Sequence, residues 1–139
     1  MELKHELITG VRHIGIAVSD LDEAIKLYRD VLGLRLKDVC DAKEMKMRVA
    51  FFSTGDKTEI ELIQPTDNET SLAKFIEKRG EGIHHIALEV DDIESALTTA
   101  KKKGLLLIDE KPRMGIHGNK IAFIHPKNTR GVLFEFVMK

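Results

Sequence analysis

An internal repeat constrains this chain more than any other feature of its sequence. Two segments that begin near residues 11 and 82 resemble each other, and their alignment places His85 on His13 at an offset of 72. Glu61 and Glu135 lie in a second pair of similar segments, at an offset of 74. Self-similarity at a constant period indicates repeated supersecondary units. The sequence therefore predicts two similar modules, each with one strand histidine and one strand glutamate.

The apolar periodicity predicts the same order of elements in both modules. Asp20 is the predicted N-cap of the first helix, which Gly33 ends. The elements expected in the first module are a strand at 12–18, a helix from 21 to 32, and strands at 34–40, 47–52 and 58–64. Those expected in the second are a strand at 83–90, a helix at 92–103, and strands near 105–108, 119–125 and 131–137. Each module is thus predicted to be βαβββ.

The predicted fold class is α+β, with two tandem βαβββ modules that form one curved mixed sheet around a cleft. At 139 residues the chain has the size of one domain. We expect this domain to span residues 11–137, with modules at about 11–64 and 83–137. The linker 65–82 contains Leu72, Phe75 and Ile76 at helical spacing, which predicts a short helix.

Composition excludes several classes of function. The chain has 22 basic and 23 acidic residues, so electrostatic binding to nucleic acid or to an anionic membrane is not expected. No apolar run approaches the roughly 20 residues of a membrane span, and the N-terminus has no signal-peptide pattern. We expect a cytoplasmic protein. A single cysteine, Cys40, excludes an internal disulfide.

The two strand glutamates need compensating partners. A carboxylate buried in an apolar strand without a partner costs several kcal/mol. Glu61 shares its strand face with Glu59, which competes for the same role, whereas Glu135 has no rival in its strand. On the face of the first strand that carries His13, the neighbouring residues are small, which leaves space above the sheet.

Two histidines and two glutamates from equivalent places in two modules predict a metal site. Imidazole nitrogens and carboxylate oxygens together suit a divalent ion such as Co, Zn, Ni, Mn or Fe(II). A lone strand histidine is usually structural, and we assign His84 that role and His125 to a loop or strand end. His117 lies in a glycine-containing loop, where it either contacts substrate or faces solvent, and the sequence does not decide between these two roles.

Four stretches of the chain resemble one known family. They are Val11-Arg12-His13-Ile14-Gly15-Ile16-Ala17-Val18, Gly82-Ile83-His84-His85-Ile86-Ala87, His117-Gly118-Asn119-Lys120-Ile121-Ala122-Phe123-Ile124-His125-Pro126-Lys127 and Gly131-Val132-Leu133-Phe134-Glu135. The chain resembles the vicinal-oxygen-chelate superfamily, which includes glyoxalases, bleomycin-resistance proteins and dioxygenases, and within it the methylmalonyl-CoA epimerases. The resemblance implies His13, Glu61, His85 and Glu135 as metal ligands.

The resemblance also implies a reaction, the epimerisation of methylmalonyl-CoA at C2. A divalent ion stabilises the enolate, while one group removes the C2 proton and another returns it. Glu135 is the candidate for one of these groups. Some family members carry a glutamate in the strand at 47–52, where this chain has none, so Glu44 in the preceding loop is the second candidate. His117 and Gly118 are the implied substrate contacts, and we expect a homodimer that binds an acyl-CoA.

Other activities use the same family of folds. A lactoylglutathione lyase of the glyoxalase I type would use nearly the same ligands, so these residues do not separate it from an epimerase. An extradiol-type dioxygenase would leave open the position that Glu61 fills, and a metal-free binding module would not need four ligands. The contacts to the CoA phosphates also stay open, although four basic residues flank the His117 loop: Lys111, Arg113, Lys127 and Arg130.

Overall fold

The computed structural model describes residues 7–139, which form two compact units. One unit comprises His13–His84, and we call it the first unit. The second unit comprises His85–Lys139 together with residues 7–12. That the two modules make up a single domain at 11–137 stays a prediction, as do the homodimer and the cytoplasmic location.

The first unit contains the predicted βαβββ module followed by a helix. Its elements are β1 (Ile8–Ala17), which enters this unit at His13, α1 (Leu21–Lys26), β2 (Arg35–Ala42), β3 (Met47–Ser53), β4 (Glu59–Pro65) and α2 (Ser71–Arg79). A π-helical turn at Leu27–Val31 extends α1. The strand order is β2-β3-β4-β1, and β1 runs parallel to β4 while the other pairs are antiparallel.

The second unit repeats this plan. Its elements are β5 (Gly82–Val90), which enters this unit at His85, α3 (Ile93–Lys102), β6 (Arg113–Met114), β7 (Lys120–Ile124) and β8 (Phe134–Met138). The strand order is β5-β8-β7-β6, with β5 parallel to β8 and the other pairs antiparallel. The prediction of two tandem βαβββ modules is therefore confirmed.

Both module helices begin at an aspartate. The Asp20 carboxylate accepts a hydrogen bond from the Glu23 backbone N–H at 3.2 Å, and the Asp92 carboxylate accepts one from the Ser95 N–H at 3.0 Å. Each bond satisfies a backbone donor that the first turn of a helix leaves unpaired. The equivalent caps hold α1 and α3 at the same place in their modules.

Each helix covers one face of its sheet. In the first unit, Leu21 and Ile25 of α1 pack with Phe52 and Leu62; in the second, α3 packs with Phe136 and its neighbours. Because side chains alternate along a strand, the next residues point to the opposite face. We call that opposite face the histidine face. Its residues include His13, Gly15, Phe51, Glu59 and Glu61 in the first unit and His85, Ala87, Ile121, Phe123 and Glu135 in the second.

One predicted strand, at 105–108, is not formed. Leu107 makes a single isolated bridge to Ile124, and the backbone N–H groups of Ile108 and Asp109 both donate to the Phe123 carbonyl oxygen. The Phe123 N–H donates to the Asp109 carboxylate at 2.8 Å. A side chain thus takes the place of a backbone acceptor, which interrupts the ladder. The outer strand of this unit is β6 instead.

The linker contains the predicted helix. Thr70 caps α2 through a hydrogen bond from the Ala73 N–H, and Gly80 ends it at a φ of 81°. The ring of Phe75 contacts the His84 ring edge-on at 4.9 Å between centroids. His84 therefore packs against the linker helix, as its structural assignment requires. Within residues 7–139, no helix is long and apolar enough to cross a membrane.

Candidate functional site

The first unit contains a buried histidine–glutamate pair on its histidine face. Nδ1 of His13 lies 3.0 Å from Oε2 of Glu61, and both side chains are about one-tenth exposed (10% each). The pairing of β1 with β4 places Glu59 beside His13 and Glu61 beside Gly15. The contact is therefore diagonal, and the missing side chain at Gly15 leaves room for it.

The second unit contains an equivalent pair. Nε2 of His85 lies 3.3 Å from Oε1 of Glu135, with side-chain exposures of 7% and 6%. Ala87 is the strand partner of Glu135, so the glutamate again lies beside the residue two positions after the histidine. Small residues at both of these positions, Gly15 and Ala87, are one sequence signal of the arrangement.

Burial distinguishes these four residues from the other polar and charged residues of the described chain. Among residues 7–139, the buried polar or charged residues are His13, Glu61, His85 and Glu135. Glu59, the rival candidate in β4, is less buried and pairs with Lys37 of β2. Glu61 is thus the more buried of the two glutamates, and its role as a ligand stays a prediction.

The donor atoms in each pair fit a shared metal ion. Two ligand atoms bound at about 2.1 Å to one ion lie about 3.0 Å apart at a right angle and about 3.4 Å apart at a tetrahedral angle. The nitrogen–oxygen distances of 3.0 and 3.3 Å fall in this range. Neutral imidazole and ionised carboxylate are the ligand forms that divalent ions take. Each pair therefore has the donor types and the spacing of two ligands of a divalent ion.

A phenylalanine accompanies each pair, and the sequence analysis did not identify either one. Phe51 is the antiparallel strand partner of Glu61, and Phe123 is the partner of Glu135. The Phe123 ring meets the His85 ring edge-on at 5.6 Å between centroids. Their offset of 72 is the same as that of the two histidines, so the repeat itself was the available signal. These rings place an apolar wall beside each glutamate, which limits its access to water.

The second acid/base candidate, Glu44, lies in a short 3-10 turn, Lys43–Met45, between β2 and β3. Its side chain is exposed and makes no hydrogen bond or ion pair with any residue in the described part of the chain. An exposed carboxylate in a turn is compatible with a proton-transfer role, but its contacts do not assign that role.

The predicted substrate contacts His117 and Gly118 lie in the turn between β6 and β7, and both are exposed. The glycines of this turn have structural reasons of their own. A Cβ atom at Gly115 would lie 2.9 Å from Cγ2 of Ile121, and Gly118 has a φ of 79°, which favours glycine. His125 lies at the end of β7 and accepts a hydrogen bond from the Lys127 N–H. Its assignment to a strand end agrees with this position.

Comparisons with known proteins agree with this fold. The model of the glyoxalase/bleomycin resistance protein/dioxygenase superfamily matches residues 12–123. A solved methylmalonyl-CoA epimerase from Mycobacterium tuberculosis is 38% identical, with a TM-score of 0.91 over 99% of this chain and 92% of that chain. This similarity confirms the predicted α+β fold class.

Two further relatives carry information about substrates. An ethylmalonyl-CoA/methylmalonyl-CoA epimerase from Cereibacter sphaeroides is 37% identical over 131 residues, which cover 93% of this chain and 97% of the relative. A methylmalonyl-CoA epimerase from Streptomyces coelicolor, solved with 2-nitronate-propionyl-CoA as a variant in which threonine replaces a serine, is 34% identical, with a TM-score of 0.88 over 95% of each chain.

Further variants of the Streptomyces enzyme were solved with the same compound. In two of them a glutamate at position 43 is replaced, by leucine or by glutamine, and in another a glutamine at position 60 is replaced by alanine. A less similar relative, a lactoylglutathione lyase from Neisseria meningitidis, is 29% identical over 127 residues, or 91% of this chain and 88% of the relative.

Proposed function

The chain belongs to the glyoxalase/bleomycin resistance protein/dioxygenase superfamily, and we propose that within it the chain is a metal-dependent methylmalonyl-CoA epimerase. One observation carries the proposal: a buried histidine–glutamate pair occurs at equivalent places in both units of a chain that is 34–38% identical to epimerases of this substrate. The lactoylglutathione lyase that stands for the main alternative is less similar, at 29% identity.

The proposed metal ligands are the four buried polar residues. His13 and Glu61 supply one half of the coordination, and His85 and Glu135 supply the other. Two imidazole nitrogens and two carboxylate oxygens suit Co, Zn, Ni, Mn or Fe(II), and this donor set does not select among them. When bound, the ion would act as a Lewis acid that stabilises the negative charge of an enolate.

The reaction requires two proton-transfer groups, one on each side of C2. The C2 proton of the substrate lies between a thioester and a carboxylate, so its removal leaves an enolate. We assign one of these groups to the carboxylate of Glu135. Epimerisation follows when a proton returns to the opposite side of C2 from a second group.

We assign the second group to Glu44, on the basis of a spacing. In the Streptomyces enzyme the replaced glutamate and glutamine are 17 positions apart (60 − 43). Glu44 and Glu61 are also 17 positions apart in this chain (61 − 44). The coincidence supports the alignment of Glu44 with that glutamate and of Glu61 with that glutamine. We also propose that His117 and Gly118, at the β6–β7 turn, contact the substrate.

The proposal is tested by proton NMR in deuterated water. Metal-loaded protein should exchange the C2 proton of methylmalonyl-CoA for deuterium, because the proton-transfer groups exchange with solvent between turnovers. The runner-up function is a glyoxalase I-type lyase, which the 29% identical relative favours. Isomerisation of the hemithioacetal of methylglyoxal and glutathione, without C2 exchange in methylmalonyl-CoA under any of the five metals, would replace the epimerase proposal with the lyase.

A further inference from the structure

Arg113 is held in place on the histidine face of the second unit. It lies in β6, and its strand partner is Ile121 of β7, a residue of that face. The Arg113 guanidinium carbon lies 5.5 Å from the centroid of the Phe123 ring. Since strand partners point to the same face, the arginine and the phenylalanine stack above the sheet.

The Asp109 carboxylate accepts hydrogen bonds from both residues of this stack. Its Oδ1 atom accepts a hydrogen bond from Nε of Arg113 at 3.2 Å, and its Oδ2 atom accepts one from the Phe123 N–H at 2.8 Å. The Asp109 side chain is 16% exposed, whereas the Arg113 side chain is 48% exposed. A largely buried carboxylate therefore orients a half-exposed cation.

The stack leads directly to a proposed metal ligand. The Phe123 ring contacts the His85 ring at 5.6 Å between centroids. Adding the two distances in this stack (5.5 and 5.6 Å) places the Arg113 guanidinium carbon no more than 11.1 Å from the centre of the His85 ring. An acyl-CoA whose reacting carbon lies beside His85 spans this distance easily.

The outer nitrogens of Arg113 are available to a ligand. Asp109 occupies only Nε, and Nη1 and Nη2 donate no hydrogen bond within residues 7–139. A guanidinium whose two outer nitrogens make no other hydrogen bond can donate to the two oxygens of a carboxylate or a phosphate. The stacking on Phe123 and the hydrogen bond to Asp109 already restrict the Arg113 side chain, so it loses less conformational entropy when it binds a ligand.

We propose that Arg113 binds an oxyanion group of the acyl-CoA substrate, with Asp109 as its positioning residue. The inference rests on the proposed epimerase function. The oxyanion is either the free carboxylate of the malonyl unit or a phosphate of CoA, and both present the same chemistry to a guanidinium.

Three ligands distinguish the two sources in calorimetric titrations of the metal-loaded protein. Methylmalonyl-CoA has both oxyanions, propionyl-CoA lacks the malonyl carboxylate, and methylmalonyl-pantetheine lacks the CoA phosphates. Arg113→Ala should raise the Kd of methylmalonyl-CoA by about ten- to a hundredfold, the loss of a charge-assisted hydrogen bond. A carboxylate contact predicts the same loss for methylmalonyl-pantetheine and none for propionyl-CoA. A phosphate contact predicts the reverse.

The chain provides a matched control. The Arg79 guanidinium carbon lies 5.7 Å from the centroid of Phe75, whose ring contacts His84, so Arg79→Ala removes a similar stack from a histidine that is not a proposed ligand. This variant should bind all three ligands like wild type. Asp109→Asn keeps an acceptor for the Phe123 N–H but removes the charge that orients Arg113, and it should show a smaller loss with the same ligand preference.

The outcomes separate this inference from the proposed function. An unchanged Kd for every ligand in Arg113→Ala, or an equal loss for all three, overturns the role of Arg113. If the wild-type protein still exchanges the C2 proton, the epimerase proposal stands in either case. If wild type neither binds methylmalonyl-CoA nor exchanges its C2 proton, both proposals fall.

Discussion

Nδ1 of His13 lies 3.0 Å from Oε2 of Glu61, although the strand partner of His13 is Glu59. The pair therefore depends on the register between β1 and β4 as well as on the two residues. A one-residue slip would turn Glu61 to the helix-covered face and place it among apolar side chains. The packing of α1 against the other face opposes such a slip, because Leu62 would leave the core at the same time.

Removal of either histidine should abolish metal binding. His13→Ala and His85→Ala each delete one ligand and leave a buried carboxylate without its partner. We expect metal content, measured by elemental analysis after dialysis, to fall from about one ion per chain to less than a tenth of that, as the loss of a ligand from a four-ligand site implies.

His84→Ala is the matched control for these variants. His84 precedes His85 in the same strand but contacts Phe75 instead. It should retain a full complement of metal. Full metal content in both His13→Ala and His85→Ala would show that the ligands lie elsewhere in the chain.

Glu135→Gln should separate the two proposed roles of that residue. The amide oxygen can still coordinate an ion, but the side chain no longer accepts a proton at neutral pH. We expect kcat for C2 exchange to fall by about a hundredfold or more, the usual contribution of a general base, while metal occupancy falls far less. A decrease in kcat that only tracks the decrease in bound metal would leave Glu135 as a ligand alone.

Glu44→Gln tests the second proton-transfer group. The carboxylate is exposed and has no partner to lose among the described residues, so stability should change by less than about 0.5 kcal/mol. The kcat for epimerisation should fall by about a hundredfold or more. Glu77→Gln, an exposed glutamate of α2, serves as the control for charge. Wild-type kcat in Glu44→Gln would assign the role to another group.

The equivalent helix caps of the two modules can be tested without altering the proposed metal site. Asp20 and Asp92 each accept a hydrogen bond from the backbone three residues later. Asp20→Ala and Asp92→Ala should each lower the free energy of unfolding by about 1 kcal/mol, measured by urea denaturation. No loss in either variant would contradict the capping role.

The fold was predictable because two independent sequence signals agree. The repeat specified two modules, and within each module the apolar periods and the caps at Asp20 and Asp92 specified the elements. The strand expected at 105–108 failed for a local reason. Its apolar residues fit a strand pattern, but the Asp109 side chain accepts the Phe123 N–H in place of a backbone carbonyl. The periodicity of apolar residues does not indicate when a side chain replaces a backbone carbonyl as the hydrogen-bond acceptor.

The burial of the candidate ligands was predictable where the repeat duplicated them. Parity and spacing selected the four residues that the structure buries, and the small residue beside each glutamate agrees with that selection. Residues with no counterpart in the other module were harder to identify. Arg113 is one of several basic residues near its loop, and its orientation depends on Asp109 and Phe123, contacts that only the folded chain shows.

Glu61→Gln tests whether a glutamine can replace the glutamate at this position, as the comparison with the Streptomyces epimerase suggests. The 17-residue spacing supports the alignment of Glu61 with a glutamine in that epimerase. An amide oxygen can replace a carboxylate oxygen as a ligand, although it removes one negative charge and so weakens the attraction to a divalent ion. We therefore expect Glu61→Gln to retain bound metal at saturating concentration, with a Kd raised by about tenfold, and to retain C2 exchange. Glu61→Ala should lose both. If Glu61→Gln lost metal as completely as Glu61→Ala, the carboxylate charge itself would be required, and the alignment with the glutamine of the relative would be wrong.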